Sequence, residues 1–151
     1  MNAVVDTRDA IAKLQDALIT MPQHPGFKTT HKFVDGMYLR EMEIPARVAI
    51  ISKTHRKECL FFMLSGDLSV NAGGVLTHLK VGDMSIAPPG KRAVCSAFGC
   101  RVMTVHRLDP YTEDLEEIEA QLVVPEQCSN YDFRNQLKDP ALAAPDLKFL
   151  E

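Results

Sequence analysis

Residues 54–68 read THRKECLFFMLSGDL: a charged start leads into the apolar run Leu60–Leu64 and then into a turn at Gly66. An apolar run of this length between polar segments is typical of a β-strand. Side chains alternate between the two faces of a strand, so residues 53, 55, 57, 59, 61 and 63 are expected to share one face. The pattern therefore predicts that His55 and Cys59 point together into the interior, whereas Glu58 points outward to solvent.

Further short β-rich runs surround this stretch, from residue 33 to residue 108. Turn signals recur about every 8–12 residues with no helical pattern between them, which is typical of an antiparallel sandwich or barrel. The predicted strands cover residues 37–44, 48–51, 60–70, 75–79, 83–87, 92–97 and 101–108.

A second segment, residues 82–93, reads GDMSIAPPGKRA. Together with residues 54–68 it resembles the two motifs of the cupin superfamily, in the same order and separated by a turn. The resemblance covers residues 37–108 and implies an all-β fold, the double-stranded β-helix of the RmlC-like jelly-roll barrel. A looser similarity to short cupin-like proteins of tailed-phage genomes implies no activity.

The resemblance also implies an eroded set of metal ligands. With Gly66 aligned, the family's metal-binding Glu falls at Cys59, its two His fall at Lys53 and His55, and the His of the second motif falls at Ala93. Cys59 thus stands where the family places a carboxylate.

Imidazole and thiolate groups suit zinc or iron, so a divalent transition metal held by His55, Cys59 and His106 is one interpretation. His106 lies near the end of the last predicted strand and would supply the third ligand, leaving an open coordination position. The alternative, given equal weight, has no metal: His55 is then a hydrogen-bonded pocket histidine, Cys59 a packed thiol and His106 a surface residue.

Basic side chains accompany His55 and Cys59 in the predicted ligand site. Lys53, Lys57 and Arg92 are expected to lie at the barrel mouth, where they would bind an anionic ligand.

Three functions follow as hypotheses. The first is a cupin-like protein that binds a small polar or anionic molecule in the barrel near His55. The second is a metal-dependent isomerase, lyase or dioxygenase-type enzyme that uses His55, Cys59 and His106. The third is an oligomeric assembly protein in which the segments outside the barrel build the oligomer.

The flanking segments predict helices at residues 7–20 and 113–122, because apolar residues recur there at helical spacing. The segment 124–151 contains prolines but also many apolar residues, so we expect an arm packed on the domain or on a second subunit. The whole chain, residues 1–151, is interpreted as a single cupin domain that forms a homodimer.

Composition excludes several classes of protein. Seventeen Lys and Arg against 20 Asp and Glu give a net charge of −3, whereas a nucleic-acid-binding domain is usually basic. The start of the sequence lacks the pattern of a secretory signal and no run is long enough to span a membrane, so a cytoplasmic location is expected. In a reducing compartment Cys95, Cys100 and Cys128 are expected to be packed thiols.

Overall fold

The computed structural model describes residues 7–125 and 129–143. Within them the chain is mostly β-structure with one helix on either side of the strands, and the all-β class predicted from the sequence is confirmed. The elements are, in chain order, helix α1 (Thr7–Ile19), strands β1 (Thr29–Val34), β2 (Met37–Ile44), β3 (Ile50–Ile51), β4 (Cys59–Ala72), β5 (Val75–Lys80), β6 (Met84–Ala87), β7 (Arg92–Cys95) and β8 (Cys100–Arg107), helix α2 (Leu115–Leu122) and a 3-10 turn at Pro140–Leu142.

The strands form one antiparallel sheet in the order β1-β2-β8-β4-β7-β3, with β5 and β6 also paired to β4. Strand β4 closes the sheet on itself, because its first half pairs with β6 and β8 and its second half pairs with β5 and β7. The result is the predicted jelly-roll barrel. It begins at Thr29, four residues before the predicted start at residue 33, because β1 adds an outer strand beside β2.

An irregularity between Met63 and Ser65 divides β4 into these two halves. Before it the buried residues are Cys59, Phe61 and Met63, and after it they are Leu68 and Val70. The inward-facing positions therefore change from odd to even numbers, as expected when a bulge adds one residue to a strand.

The interior of the barrel is filled by apolar side chains from both halves of the sheet. The buried members of this cluster are Ile44, Cys59, Phe61, Met63, Leu68, Val70, Leu79, Ala87, Cys100 and Val102.

Helix α2 covers one end of the barrel through Ile118 and Leu122, which are buried in a second cluster with Tyr38 and Phe133. It begins two residues later than predicted. The side chain of Asp114 caps it by accepting hydrogen bonds from the amides of residues 116 and 117, at 2.9 and 3.1 Å. Helix α1 ends one residue before its predicted end. Neither helix has the length and apolar character needed to cross a membrane.

The described part of the C-terminal arm, residues 129–143, lies against the segment between α1 and β1. Short β-bridges join Gly26 to Gln136 and Gln23 to Ala143, and Phe133 is buried. The remainder of the predicted arm, residues 126–128 and 144–151, lies outside the described residues. Of the thiols predicted to be packed, Cys100 is buried but Cys95 is exposed, because Arg92 and Val94 take the inward positions of β7 and Cys95 faces outward. Cys128 lies outside the described residues.

Candidate functional site

A cavity of about 420 Å³ lies inside the barrel. Alternate residues of strands β2 and β8 line it: from β2 the even-numbered positions 38 to 44, and from β8 positions 102, 104 and 106. The strand alternation thus decides which side chains reach the cavity.

Pairing between β2 and β8 divides the cavity along its length. Tyr38 lies opposite His106, and the next inward residue of β2, Arg40, lies opposite Thr104. The following inward residue, Met42, is paired with Val102. Polar side chains therefore gather toward one end of these two strands and apolar side chains toward the other.

Arg92, the first residue of β7, brings a guanidinium to the polar end. Its side chain is only 5% exposed, and its backbone N–H donates to the hydroxyl of Ser52 at 2.9 Å. One terminal nitrogen, Nη2, lies 4.0 Å from Sγ of Cys59, and Nε is buried with no hydrogen-bond partner among the described residues.

Arg40 supplies the second guanidinium. Its Nη2 donates to the backbone oxygen of Phe133 at 3.0 Å, and its Cζ lies 4.8 Å from the centre of the Phe133 ring. Its Nε is also buried without a partner in the described part of the chain. Burial lowers the pKa of both Arg40 and Arg92, yet a guanidinium remains charged in a protein. No carboxylate of residues 7–125 or 129–143 forms an ion pair with either of them.

His55 is held between the β6–β7 connection and the end of helix α2. Its backbone exchanges hydrogen bonds with Gly90 at 3.0 and 2.9 Å, and it also forms a bridge to Val123. Nδ1 of its ring is buried without a partner among the described residues. Burial and the charges of Arg92 and Arg40 lower the pKa of His55 to about 4, so the ring is neutral at pH 7.

His106 is buried beside Tyr38, with ring centres 5.7 Å apart. Its Nε2 and the hydroxyl of Thr104 are hydrogen-bonded at 2.8 Å. Burial lowers the pKa of His106 to about 3, and His55, Arg40 and Arg92 add to the shift. We name the end of the cavity formed by Arg40, His55, Arg92 and His106 the cationic end.

The donor set does not fit a metal ion. Within residues 7–125 and 129–143, His55, Cys59 and His106 do not form a group of three ligands, and neither does any other set of His, Cys, Asp or Glu. The Arg92 guanidinium lies 4.0 Å from the Cys59 sulfur, and this cation would repel a metal. Burial raises the pKa of the Cys59 thiol, and the Arg92 guanidinium opposes that shift.

The structure brings only some of the predicted ligand-site residues together. Lys53, His55, Arg92 and His106 all line the cavity, but Nζ of Lys53 is paired with Glu119 of helix α2 at 2.5 Å. Cys59 is buried in the apolar core beside Arg92.

Lys57 lies outside the cavity. It is exposed and lines a separate pocket beside Glu58, because β4 begins only at Cys59 and strand alternation does not extend back to residue 57. Glu58 is exposed, as predicted.

Sequence reasoning missed Arg40. The signal is present in β2, where Tyr38, Arg40, Met42 and Ile44 share one face and the acidic Glu41 and Glu43 share the other. An arginine on the apolar face of a strand indicates a buried charge, and a buried charge requires a partner.

Comparison with known proteins finds similarity to solved structures only, and at low sequence identity. No family model and no curated protein matches it. Among solved structures, it is similar to a cupin-2 domain containing protein from Shewanella frigidimarina, with 12% identity, a TM-score of 0.46 and coverage of 63% of this chain and 92% of that one. It is also similar to a cupin superfamily protein from Desulfitobacterium hafniense, with 10% identity, a TM-score of 0.48 and coverage of 58% of this chain and 82% of that one. A third similar structure is the cupin-2 domain of an XRE family transcriptional regulator from Enterobacter cloacae, with 13% identity, a TM-score of 0.48 and coverage of 55% of this chain and 97% of that one.

Proposed function

We propose that the barrel cavity binds a small anionic molecule at its cationic end. The observation that carries this proposal is the pair of buried guanidiniums: Nε of Arg40 and Nε of Arg92 have no hydrogen-bond partner among the described residues, and neither side chain is ion-paired there. Burying a charge without a partner costs several kcal/mol per ion. An anion in the cavity offsets that cost.

The groups around the two guanidiniums suit an anion. His55 and His106 are neutral at pH 7, and a neutral imidazole can donate one hydrogen bond from either ring nitrogen. Lys53, by contrast, is already paired with Glu119. The cavity therefore offers two fixed positive charges and two neutral histidines, and its volume lies within the usual range of small-molecule sites, about 300–1,000 Å³.

Calorimetry with ligands of matched shape and different charge tests this proposal. We expect benzoate to bind, and benzamide and benzylamine to bind at least tenfold more weakly, since only benzoate brings a negative charge to Arg40 and Arg92. Inorganic phosphate serves as a second anion without an apolar part. Arg40→Gln and Arg92→Gln are each expected to weaken benzoate binding at least tenfold, as removal of a charge-assisted hydrogen bond costs about 1.5–3 kcal/mol.

Lys57→Gln is the matched control, because Lys57 is a predicted ligand-site residue that lies outside the cavity; it should leave benzoate binding unchanged. Circular dichroism of each variant establishes that it is folded. Tighter binding of benzylamine than of benzoate, or no binding of either benzoate or phosphate, would rule the proposal out.

A further inference from the structure

We infer that the ligand is an amphipathic carboxylate, with its acid group at the cationic end and a hydrocarbon body along the rest of the cavity. The inference rests on the proposed function and adds the chemical class of the molecule.

The first step is the polarity gradient along the paired strands. On β2 the inward residues change from Arg40 to Met42 and then to Ile44, and on β8 they change from Thr104 to Val102. Six residues of an extended strand span roughly 20 Å, so the gradient between positions 38 and 44 extends over the length of a small molecule.

The opposite half of the sheet repeats the gradient. Arg92 is followed on the inward face of β7 by Val94, which pairs with Val70 of β4 and with Ile50 of β3. Leu68, which is fully buried, continues the apolar surface. We name the part of the cavity lined by Met42, Ile44, Val94 and Val102 the apolar end.

Helix α1 extends the apolar lining at the cavity wall. Leu18 and Ile19 of α1 and Met21 just after it line the cavity, and Ile19 and Met21 remain 38% and 55% exposed. A hydrocarbon body would remove part of this surface from water, which a small hydrophilic anion would not do.

The charge balance favours a single negative charge. Arg40 and Arg92 carry two positive charges, but burial, which lowers the pKa of Arg40, is opposed by Tyr38 and then by the carboxylates of Glu119 and Asp132. Lys53 already balances Glu119, so only Asp132 offsets the two guanidiniums, and the remaining demand is closer to one negative charge than to the roughly −2 of a phosphate monoester. A carboxylate supplies one charge, and its two oxygens match the planar fork of a guanidinium.

The volume limits the size of the hydrocarbon body. An apolar cavity of about 150 Å³ accommodates benzene. A cavity of about 420 Å³ therefore suits an acid with a body of roughly two rings, or a medium-length chain.

A homologous series of straight-chain acids tests the inference by calorimetry: acetate, butyrate, hexanoate and octanoate, with octanamide as the neutral match and inorganic phosphate as the purely ionic probe. Burial of one CH₂ is worth about 0.8 kcal/mol, so each added CH₂ should tighten binding about fourfold until the cavity is full. Octanamide should bind at least tenfold more weakly than octanoate.

Two variants separate the ends of the cavity. Arg92→Gln should weaken every acid of the series by a similar factor. Val102→Thr places a hydroxyl in the apolar end and should weaken octanoate severalfold while leaving acetate unchanged.

The outcomes distinguish this inference from the proposed function. Binding of acetate and phosphate that depends on Arg92 but does not tighten with chain length would overturn the inference and leave the proposed function standing. Phosphate tighter than octanoate would do the same. If octanamide matched octanoate, or if neither phosphate nor any acid bound, both would fail.

Discussion

The two buried arginines show how a single residue type can decide the chemistry of an apolar barrel. Arg40 and Arg92 occupy inward positions on β2 and β7, where the next inward residues along the strand are Met42 and Val94. Folding buries both charges without a direct ion pair to a carboxylate of the described residues. An unpaired buried charge does not improve stability, and the proposed anion site would account for both residues.

Replacement of Arg92 by Met separates stability from binding. We expect Arg92→Met to raise the free energy of unfolding of the ligand-free protein by about 1–3 kcal/mol, because replacing a buried ionic group by an apolar residue of similar volume is often stabilising. Urea unfolding followed by circular dichroism measures the change. The control is Arg101→Met: Arg101 is half-exposed and its Nε lies 2.9 Å from Glu41, so its loss should cost no more than about 1 kcal/mol. A clear loss of stability in Arg92→Met would contradict the binding role.

The neutral histidines make stability depend on pH. His55 and His106 have pKa values of about 4 and 3 in the folded protein, against about 6.5 in the unfolded chain. Between pH 6.5 and about 4 the unfolded chain takes up protons that the folded protein does not. The free energy of unfolding is therefore full above pH 6.5 and decreases as the pH falls below it, by about 1–2 kcal/mol per histidine at pH 5.

Urea unfolding at pH 7.5 and pH 5 measures this decrease. His106→Gln should show a smaller decrease than the unmodified protein, since glutamine takes up no proton. His78→Gln, which replaces an exposed histidine of β5, should retain the full decrease. Equal decreases in the unmodified protein and in His106→Gln would show that His106 is not buried in its neutral form.

At the scale of elements, the crossing of β4 from one half of the barrel to the other depends on Gly66. This residue has a φ of +73° and follows the irregularity between Met63 and Ser65. A Cβ atom at Gly66 would lie 2.2 Å from the backbone oxygen of Gly99, which is too close for any side chain. The strand can change halves here because a glycine permits both the positive φ and the close approach of β8.

Substitution of Gly66 by Ala tests this account of the crossing. We expect Gly66→Ala to lower the free energy of unfolding by more than about 3 kcal/mol, since backbone strain of about 1–3 kcal/mol is added to a steric clash with backbone. The matched control is Gly73→Ala in the β4–β5 turn, where φ is also positive (+56°) but no atom lies within 4 Å of the added Cβ. Gly73→Ala should lose only the free energy that corresponds to the backbone strain. Equal losses of unfolding free energy in the two variants would show that the contact with Gly99 has no effect. Thermal unfolding measures both.

Whole-molecule features could be predicted from the sequence only where neighbouring residues determine them. Strand alternation and turn residues are local, so β2, Met37–Ile44, is predicted with its observed bounds. The cationic end joins Arg40, His55, Arg92 and His106 from four separate segments, and only the sheet pairing brings them together. His106, one of the three predicted metal ligands, lies instead among arginines and aromatic rings, because β2 places Tyr38 opposite it. The homodimer stays a prediction, which sedimentation equilibrium would test.

The described part of the C-terminal arm, residues 129–143, packs on the barrel. Phe133 is buried in the same cluster as Tyr38 and Ile118, and its backbone oxygen and ring both contact Arg40. Without this residue the wall of the cavity beside the cationic end is incomplete. The arm therefore contributes both to the stability of the barrel and to the position of a binding group.

Phe133→Ala tests this contribution. We expect a loss of about 3–5 kcal/mol in the free energy of unfolding, typical of a buried Phe→Ala change, and weaker benzoate binding because Arg40 loses the ring that holds its guanidinium. Phe98→Ala is the matched control, since Phe98 is 85% exposed in the β7–β8 turn and its replacement should change stability by less than about 0.5 kcal/mol. Urea unfolding and calorimetry of the two variants give the comparison. If Phe133→Ala behaved like Phe98→Ala, the arm would not be required to complete the cavity, and Arg40 would be positioned by the barrel alone.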